Sequence, residues 1–281
     1  FLRIARHLTG LGLSAPRILA EDIANGFLLL EDLGDDLFAR VTAQTPKLEQ
    51  QLYATATDLL ADLHQHPAPQ DLPAYDPPLM ASLSALVYDW YLPGAGLTPT
   101  PEEKQAFQAE IETVLTNLTS DTPVLIQRDY HAENLLWLPD RDGVARVGLL
   151  DFQDGMAGHP AYDLVSLLED ARRDVPPEVQ RSMLARYIAR ANQPDAAFRA
   201  AYAALGAQRN LRIIGVFARL CIRDGKAHYI DLLPRVWGYL MQDLSHPALS
   251  HLQTTVMNNL PPPDAELRQR IKDKCKTAQT P

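Results

Sequence analysis

Between Leu125 and Asp154 the chain reads LIQRDYHAENLLWLPDRDGVARVGLLDFQD, where Asp129, His131, Asn134 and Asp151 stand out against two short apolar runs. Asn134 and Asp151 sit at the two ends of a predicted hairpin, which would bring them to one place. Their oxygens are the hard donors that Mg2+ prefers, yet two protein ligands hold that ion weakly, so the pair suits a metal carried in on nucleotide phosphates. Asp129, five residues before Asn134, is then left to accept the proton of an attacking hydroxyl. A single loop aspartate more often caps a helix or closes a turn. The joint spacing, D-x-x-x-x-N followed at hairpin distance by two apolar residues and D-F, favours the metal–nucleotide chemistry.

Three short strands are predicted to position these groups: PVLIQ from Pro123, NLLWL from Asn134 and VARVGLLDF from Val144, with Asp140 to Gly143 as the turn between the last two. Most of the remaining chain after Gly34 reads as helix. Thr45-Pro46 opens a segment reaching His64, PPLMASLSALVYDWYL carries its own helical period, and Thr100 with Glu103 has capping-box spacing. Helical patterns resume at Pro160, and LPPPD at Leu260 interrupts them before a charged tail. At the other end, Phe1, Ile4, Leu8 and Leu11 keep helical spacing up to Gly12, and RILAED and FLLLED flank Asn25-Gly26, a dipeptide suited to a hairpin turn with positive φ. The expected divisions are 1–34, 35–263 and a tail, 264–281, that reads as a solvated helix.

The bulk properties narrow the partners. Twenty-six basic against 35 acidic residues, net charge −9, provide no broad positive field for nucleic acid or an anionic membrane surface. No apolar run has the length of a membrane span, and the charged, periodic opening is unlike a signal peptide. Two cysteines, Cys221 and Cys275, form neither a disulfide framework nor a metal motif, so a cytoplasmic location is expected. Nothing in the sequence sets an oligomeric state.

QRDYHAEN and LLDFQD resemble the catalytic loop and metal-binding segment of the protein-kinase-like fold, in the branch of aminoglycoside phosphotransferases and choline kinases. The resemblance implies an α+β fold with a mostly helical C-lobe, a small β insertion, and an N-lobe that is incomplete in this chain. It further implies ATP and Mg2+, with Asp129 as catalytic base and Asn134 and Asp151 as metal ligands. His131 stands where small-molecule kinases of this branch have histidine and protein kinases have lysine. AYDLVSLL also matches, which makes Asp163 an acceptor for the catalytic-loop backbone; an ordinary acid in the first turn of a helix is the alternative. FLLLEDLGD resembles the hinge, where the backbone from Glu31 through Asp32 to Leu33 would meet adenine. The family also uses a strand lysine on the phosphates, and the first lysine here, Lys47, lies beyond the hinge. The expectation is a natural protein that starts upstream of Phe1. A non-catalytic nucleotide-binding regulator is the rival.

Arg209, Arg212, Arg219 and Arg223 fall within an arc of about 80° on one predicted helix. Such a face would attract a carboxylate and repel a polycationic antibiotic; pairing with surface acids is the alternative. The block QRNLRIIGVFARLCIRDGKAHYIDLLPRVWGYL, with YDWYLPG, resembles bacterial cell-wall-recycling kinases that phosphorylate the anomeric hydroxyl of N-acetylmuramate and N-acetylglucosamine. A small amino sugar is thus the expected substrate, contacted by Arg209 and Arg212, with Trp90 stacking on the sugar and Asp89 accepting its hydroxyls. Another small alcohol or an aminoglycoside remains a competing acceptor, and a run such as VYDWYL at helical period is more often core.

Overall fold

The computed structural model describes residues 1–119 and 122–275. Helix α1 (Leu2–Gly10) leads into strands β1 (Ile18–Asp22) and β2 (Phe27–Leu30), then helices α2 (Phe38–Gln44) and α3 (Glu49–Leu63). Next come α4 (Pro77–Ser84), a π-helical turn (Val87–Tyr91), the single turn α5 (Leu92–Gly94) and α6 (Pro101–Leu118). Four short strands follow: β3 (Val124–Ile126), β4 (Leu135–Trp137), β5 (Val147–Leu149) and β6 (Met156–Gly158). Helices α7 (Ala161–Leu168), α8 (Pro177–Arg190), α9 (Asp195–Asp224), α10 (Leu233–Leu244), α11 (Ser250–Asn259) and α12 (Ala265–Asp273) complete the order. Among the described residues no helix is long and apolar enough to cross a membrane.

The chain forms two compact units, Phe1–Ala74 with Asp121–Asp195, and Tyr75–Ser120 with Ala196–Pro281. The units do not divide at Gly34, because backbone bonds fasten the first residues to the later strands. Leu149 donates to the Ser14 carbonyl (2.9 Å) and Trp137 to the Asp36 carbonyl (2.8 Å).

In the first unit α3 presents Leu52, Tyr53, Ala56, Leu59, Leu60 and Leu63, all buried. Each leucine contributes roughly 1.5–3 kcal/mol by leaving water. Arg186 and Arg190 of α8 clamp its outer face through Asp58 and Asp62, each at 2.7 Å. The β4–β5 hairpin pairs Leu135 with Leu149 and Trp137 with Val147. Strand β3 pairs antiparallel with β6, which sequence patterns missed because Met-Ala-Gly carries no alternation. The β1–β2 turn is also longer than the expected two residues. Asp22 accepts from the backbone (3.2 Å) and side chain (2.8 Å) of Asn25, and positive φ is needed only at Gly26.

The second unit is helical. Thr100 and Glu103 close the expected capping box on α6, at 3.2 Å and 2.7 Å. The single period expected over PPLMASLSALVYDWYL breaks instead, with α4 ending at Ser84 before the π turn. Here α9 comes so close that a Cβ on Gly215 would lie 2.6 Å from the Leu86 carbonyl carbon. The tail expected to be solvated is a docked helix as far as it is described: Asp264 caps α12 through Leu267 N–H (2.8 Å), and Leu267 and Ile271 are buried. Its last six residues, 276–281, lie outside the described residues.

Candidate active site

The segment after β3 is built around one buried carboxylate. Asp163, on α7 and fully inaccessible, accepts the backbone N–H of Gln127 (2.6 Å) and of Arg128 (2.9 Å). Arg128 sits at φ +71, a left-handed conformation that costs a non-glycine residue of order 1 kcal/mol or more, and these bonds hold it there. Ser166, one helical turn on, donates its hydroxyl to the Arg128 carbonyl (3.3 Å). Tyr130 then anchors the loop inward by donating to the Ala56 carbonyl (2.9 Å), and burial, with Asp163 nearby, pushes its hydroxyl pKa well up.

The next residues join Asp129, Asn134 and Asp151. The Asp129 carbonyl accepts from His131 N–H (3.1 Å) and from Asn134 Nδ2 (2.9 Å). Asn134 Nδ2 also lies 3.4 Å from Asp151 Oδ2. The Asn134 carbonyl accepts from Leu150 N–H (3.0 Å), so the ends of β4 and β5 close the arrangement that the hairpin was expected to make. Asp151 is exposed and has φ +55, and the side-chain amide of Gln153 donates to its Oδ1. Strained, non-glycine backbone thus occurs on both sides of the convergence, at Arg128 and Asp151.

These residues fit a divalent cation of the magnesium type. With its nitrogen committed to the Asp129 carbonyl, Asn134 has its amide oxygen left to give, and Asp151 adds a carboxylate at the same place. Both are hard oxygen donors, and both are at least partly accessible, as a site loaded with a diffusing metal–nucleotide complex must be.

The remaining sequence candidates have varied surroundings. Glu31 is engaged through its side chain: Arg17 donates to it at 3.1 Å and Arg141 at 2.9 Å. Burial pushes its pKa up, but the hydrogen bonds and charges of Arg17 and Arg141 outweigh that and hold it below the usual carboxylate value. Asp32 turns its carboxylate to Gly34 N–H (2.8 Å), leaving Leu33 half-buried after it. In the second unit, exposed Asp89 pairs with Lys104 (2.6 Å), and half-buried Trp90 shares the π turn with it. Arg209 is buried on α9 and Arg212 half-buried, whereas Arg223 is exposed and binds its neighbour Asp224 (2.7 Å). The arginines therefore share a face but not an environment.

Sequence reasoning passed over Ser166, Gln153 and the segment EDARRD that follows α7. The acid–arginine alternation directly after an apolar run was its available signal.

Residues 1–205 match the profile of a phosphotransferase enzyme family. The chain is 43% identical over 264 residues to an N-acetylmuramate/N-acetylglucosamine kinase of Caulobacter vibrioides, an alignment spanning 90% of this chain and 72% of that protein. It is 34% identical to the protein of the same name from Pseudomonas aeruginosa, over 85% of this chain and 71% of the relative. Among solved structures, a choline/ethanolamine kinase family protein from Mesorhizobium loti superposes with a TM-score of 0.57 at 14% identity, over 96% of this chain and 81% of the other. An ADP-bound aminoglycoside phosphotransferase does so at 0.53 and 17%, over 97% and 81%. These likenesses give the chain an α+β, protein-kinase-like fold.

Proposed function

Because the chain belongs to the phosphotransferase enzyme family, we propose that it moves the terminal phosphoryl group of ATP to the anomeric hydroxyl of N-acetylmuramate or N-acetylglucosamine. The observation that carries the chemistry is the Asn134 side chain, 2.9 Å from the Asp129 carbonyl and 3.4 Å from the Asp151 carboxylate. The amino-sugar acceptor is supported by the names of the two bacterial relatives.

Asp129 accepts the hydrogen bond of the sugar hydroxyl and takes its proton as the new O–P bond forms. Its backbone is locked by its bonds to His131 and Asn134, so the carboxylate needs little reorganisation when charge develops. Asn134 and Asp151 would hold Mg2+, which would supply neutralisation of phosphate charge. Asp163 keeps the loop in its strained shape, and Gln153 orients Asp151. Backbone groups from Glu31 to Leu33 receive adenine, in a segment whose side chains are already occupied with Arg17, Arg141 and Gly34. For the amino sugar, the proposed contacts are Arg209 and Arg212 for a carboxylate, and Asp89 and Trp90 for hydroxyls and ring, a role supported by their residue types and not by their placement.

The test is ATP consumption by the full-length protein over a panel of amino sugars, choline and aminoglycosides, with and without Mg2+. Turnover with the two amino sugars alone is expected. Turnover with choline or an antibiotic instead would replace the acceptor, and nucleotide binding with no consumption would make the protein a regulator.

A further inference from the structure

A side chain that plays no part in the mechanism above braces the loop of Asp129 from outside. Arg172, in EDARRD, directs Nη1 to His131 Nε2 (3.1 Å) and Nε to Glu133 Oε2 (3.1 Å). Its own N–H donates to the buried Asp170 carboxylate (2.9 Å). Arg173 beside it bonds Glu49 (2.6 Å) and the Tyr53 hydroxyl, so the segment is also pinned to the first turns of α3. Tyr130 reaches the same helix through Ala56.

A guanidinium has donors and no acceptor. For Arg172 to donate in this contact, the lone pair belongs to His131 Nε2. A histidine so held is a strut. Its backbone transmits the support: His131 N–H binds the Asp129 carbonyl (3.1 Å), and its own carbonyl receives Asn134 N–H (2.8 Å). The two contacts use different nitrogens of one rigid planar group, so Arg172 spans His131 and Glu133 as a bracket, which a lysine with its single compact ammonium would not reproduce.

We propose that Arg172 is a positioning residue: it holds His131 and Glu133, and through them the backbone that aims Asp129 and presents Asn134. Its effect on rate rests on the phosphotransfer function proposed above, whereas its effect on loop order rests on the geometry alone. The bonded partners of Arg172 are His131, Glu133 and Asp170, none of them a reacting group, so its loss acts mainly on turnover and not on sugar affinity.

The experiment compares the full-length wild type with Arg172→Ala and Arg172→Lys, measuring steady-state kinetics and hydrogen–deuterium exchange across residues 129–134. For Arg172→Ala, kcat should fall about 10- to 100-fold, as expected for misplacement of a reacting group by about an ångström, with KM for ATP and sugar within about twofold of wild type. Guanidinium ion added to Arg172→Ala should restore part of the rate, and exchange in the loop should rise. Arg172→Lys should recover little, and it carries the same test if the alanine variant does not fold. Unchanged exchange overturns the proposal, as does a kcat within about twofold of wild type. A rise of about tenfold in sugar KM overturns it too, by making Arg172 a substrate contact. If the wild type shows no sugar-dependent turnover while loop exchange still rises in the variant, the bracket stands and the phosphotransfer function falls.

Discussion

The loop after β3 and the long helix α9 are held in place by opposite means. In the loop, strained residues at Arg128 and Asp151 persist because side chains bond the backbone: Asp163 at two N–H groups, Asn134 at the Asp129 carbonyl. On α9, close packing decides, through glycines that admit Leu86 at Gly215 and the Asp243 carboxylate at Gly206. The loop should therefore be sensitive to the loss of one oxygen, and the helix to the gain of one methyl.

The sharpest break is Asp129→Asn, expected to lower kcat by roughly 10²- to 10⁴-fold while nucleotide affinity by calorimetry stays near wild type. A near-normal rate would remove Asp129 as the base. Asp163→Ala comes next. It strands two N–H groups and releases the strained Arg128, for an expected loss of about 2–4 kcal/mol in urea unfolding. Gly215→Ala tests the other region, and a methyl against the Leu86 backbone should cost up to about 3 kcal/mol without changing the KM of ATP. If Asp163→Ala proved harmless and Gly215→Ala severe, packing would govern both regions.

A pH experiment adds a second polar joint of the first unit. His64 bonds the Tyr187 hydroxyl (2.7 Å), and burial, helped by His159 and opposed by the Leu125 carbonyl, lowers its pKa to about 3. The folded ring stays neutral while the unfolded chain binds a proton below the ordinary histidine value of about 6.5, so stability present above that pH falls as acid is added. By pH 5 the loss from this group is about 2 kcal/mol. His64→Gln should lose correspondingly less between pH 7.5 and pH 5 by chemical denaturation, and equal losses in both proteins would acquit His64.

The smallest effect expected is on substrate choice. Arg212→Ala should raise KM about tenfold for N-acetylmuramate, with its carboxylate, and leave N-acetylglucosamine nearly unchanged, a difference worth about 1.4 kcal/mol. Equal changes for both sugars would make the α9 arginines structural.

The parts of the molecule readable in the chain are those whose causes are local. Asp129, Asn134 and Asp151 were legible because a hairpin has a sequence signature and returns its ends to each other. The Thr100–Glu103 cap was legible because both partners lie within one turn. Strand β6 was not, since its pairing with β3 is made across thirty-odd residues by a tripeptide without pattern. The break of helix at Val87–Tyr91 coincides with the approach of α9, far along the chain. The docking of α12 was likewise hidden, because its two buried residues, Leu267 and Ile271, form too narrow a stripe among charges to announce burial.

Residue types and short spacings by themselves determined which side chains converge: two oxygen-bearing groups at the ends of a hairpin, and a carboxylate five residues before the first. Tertiary structure alone decided how those groups are held, by choosing Asp163 to support Arg128 and Arg172 to brace His131, and, separately in the second unit, that Gly215 lets two helical segments touch. The physical reason is that intrinsic backbone preference acts over one or two turns, whereas a buried hydrogen bond or a close approach depends on partners that only the folded chain brings together.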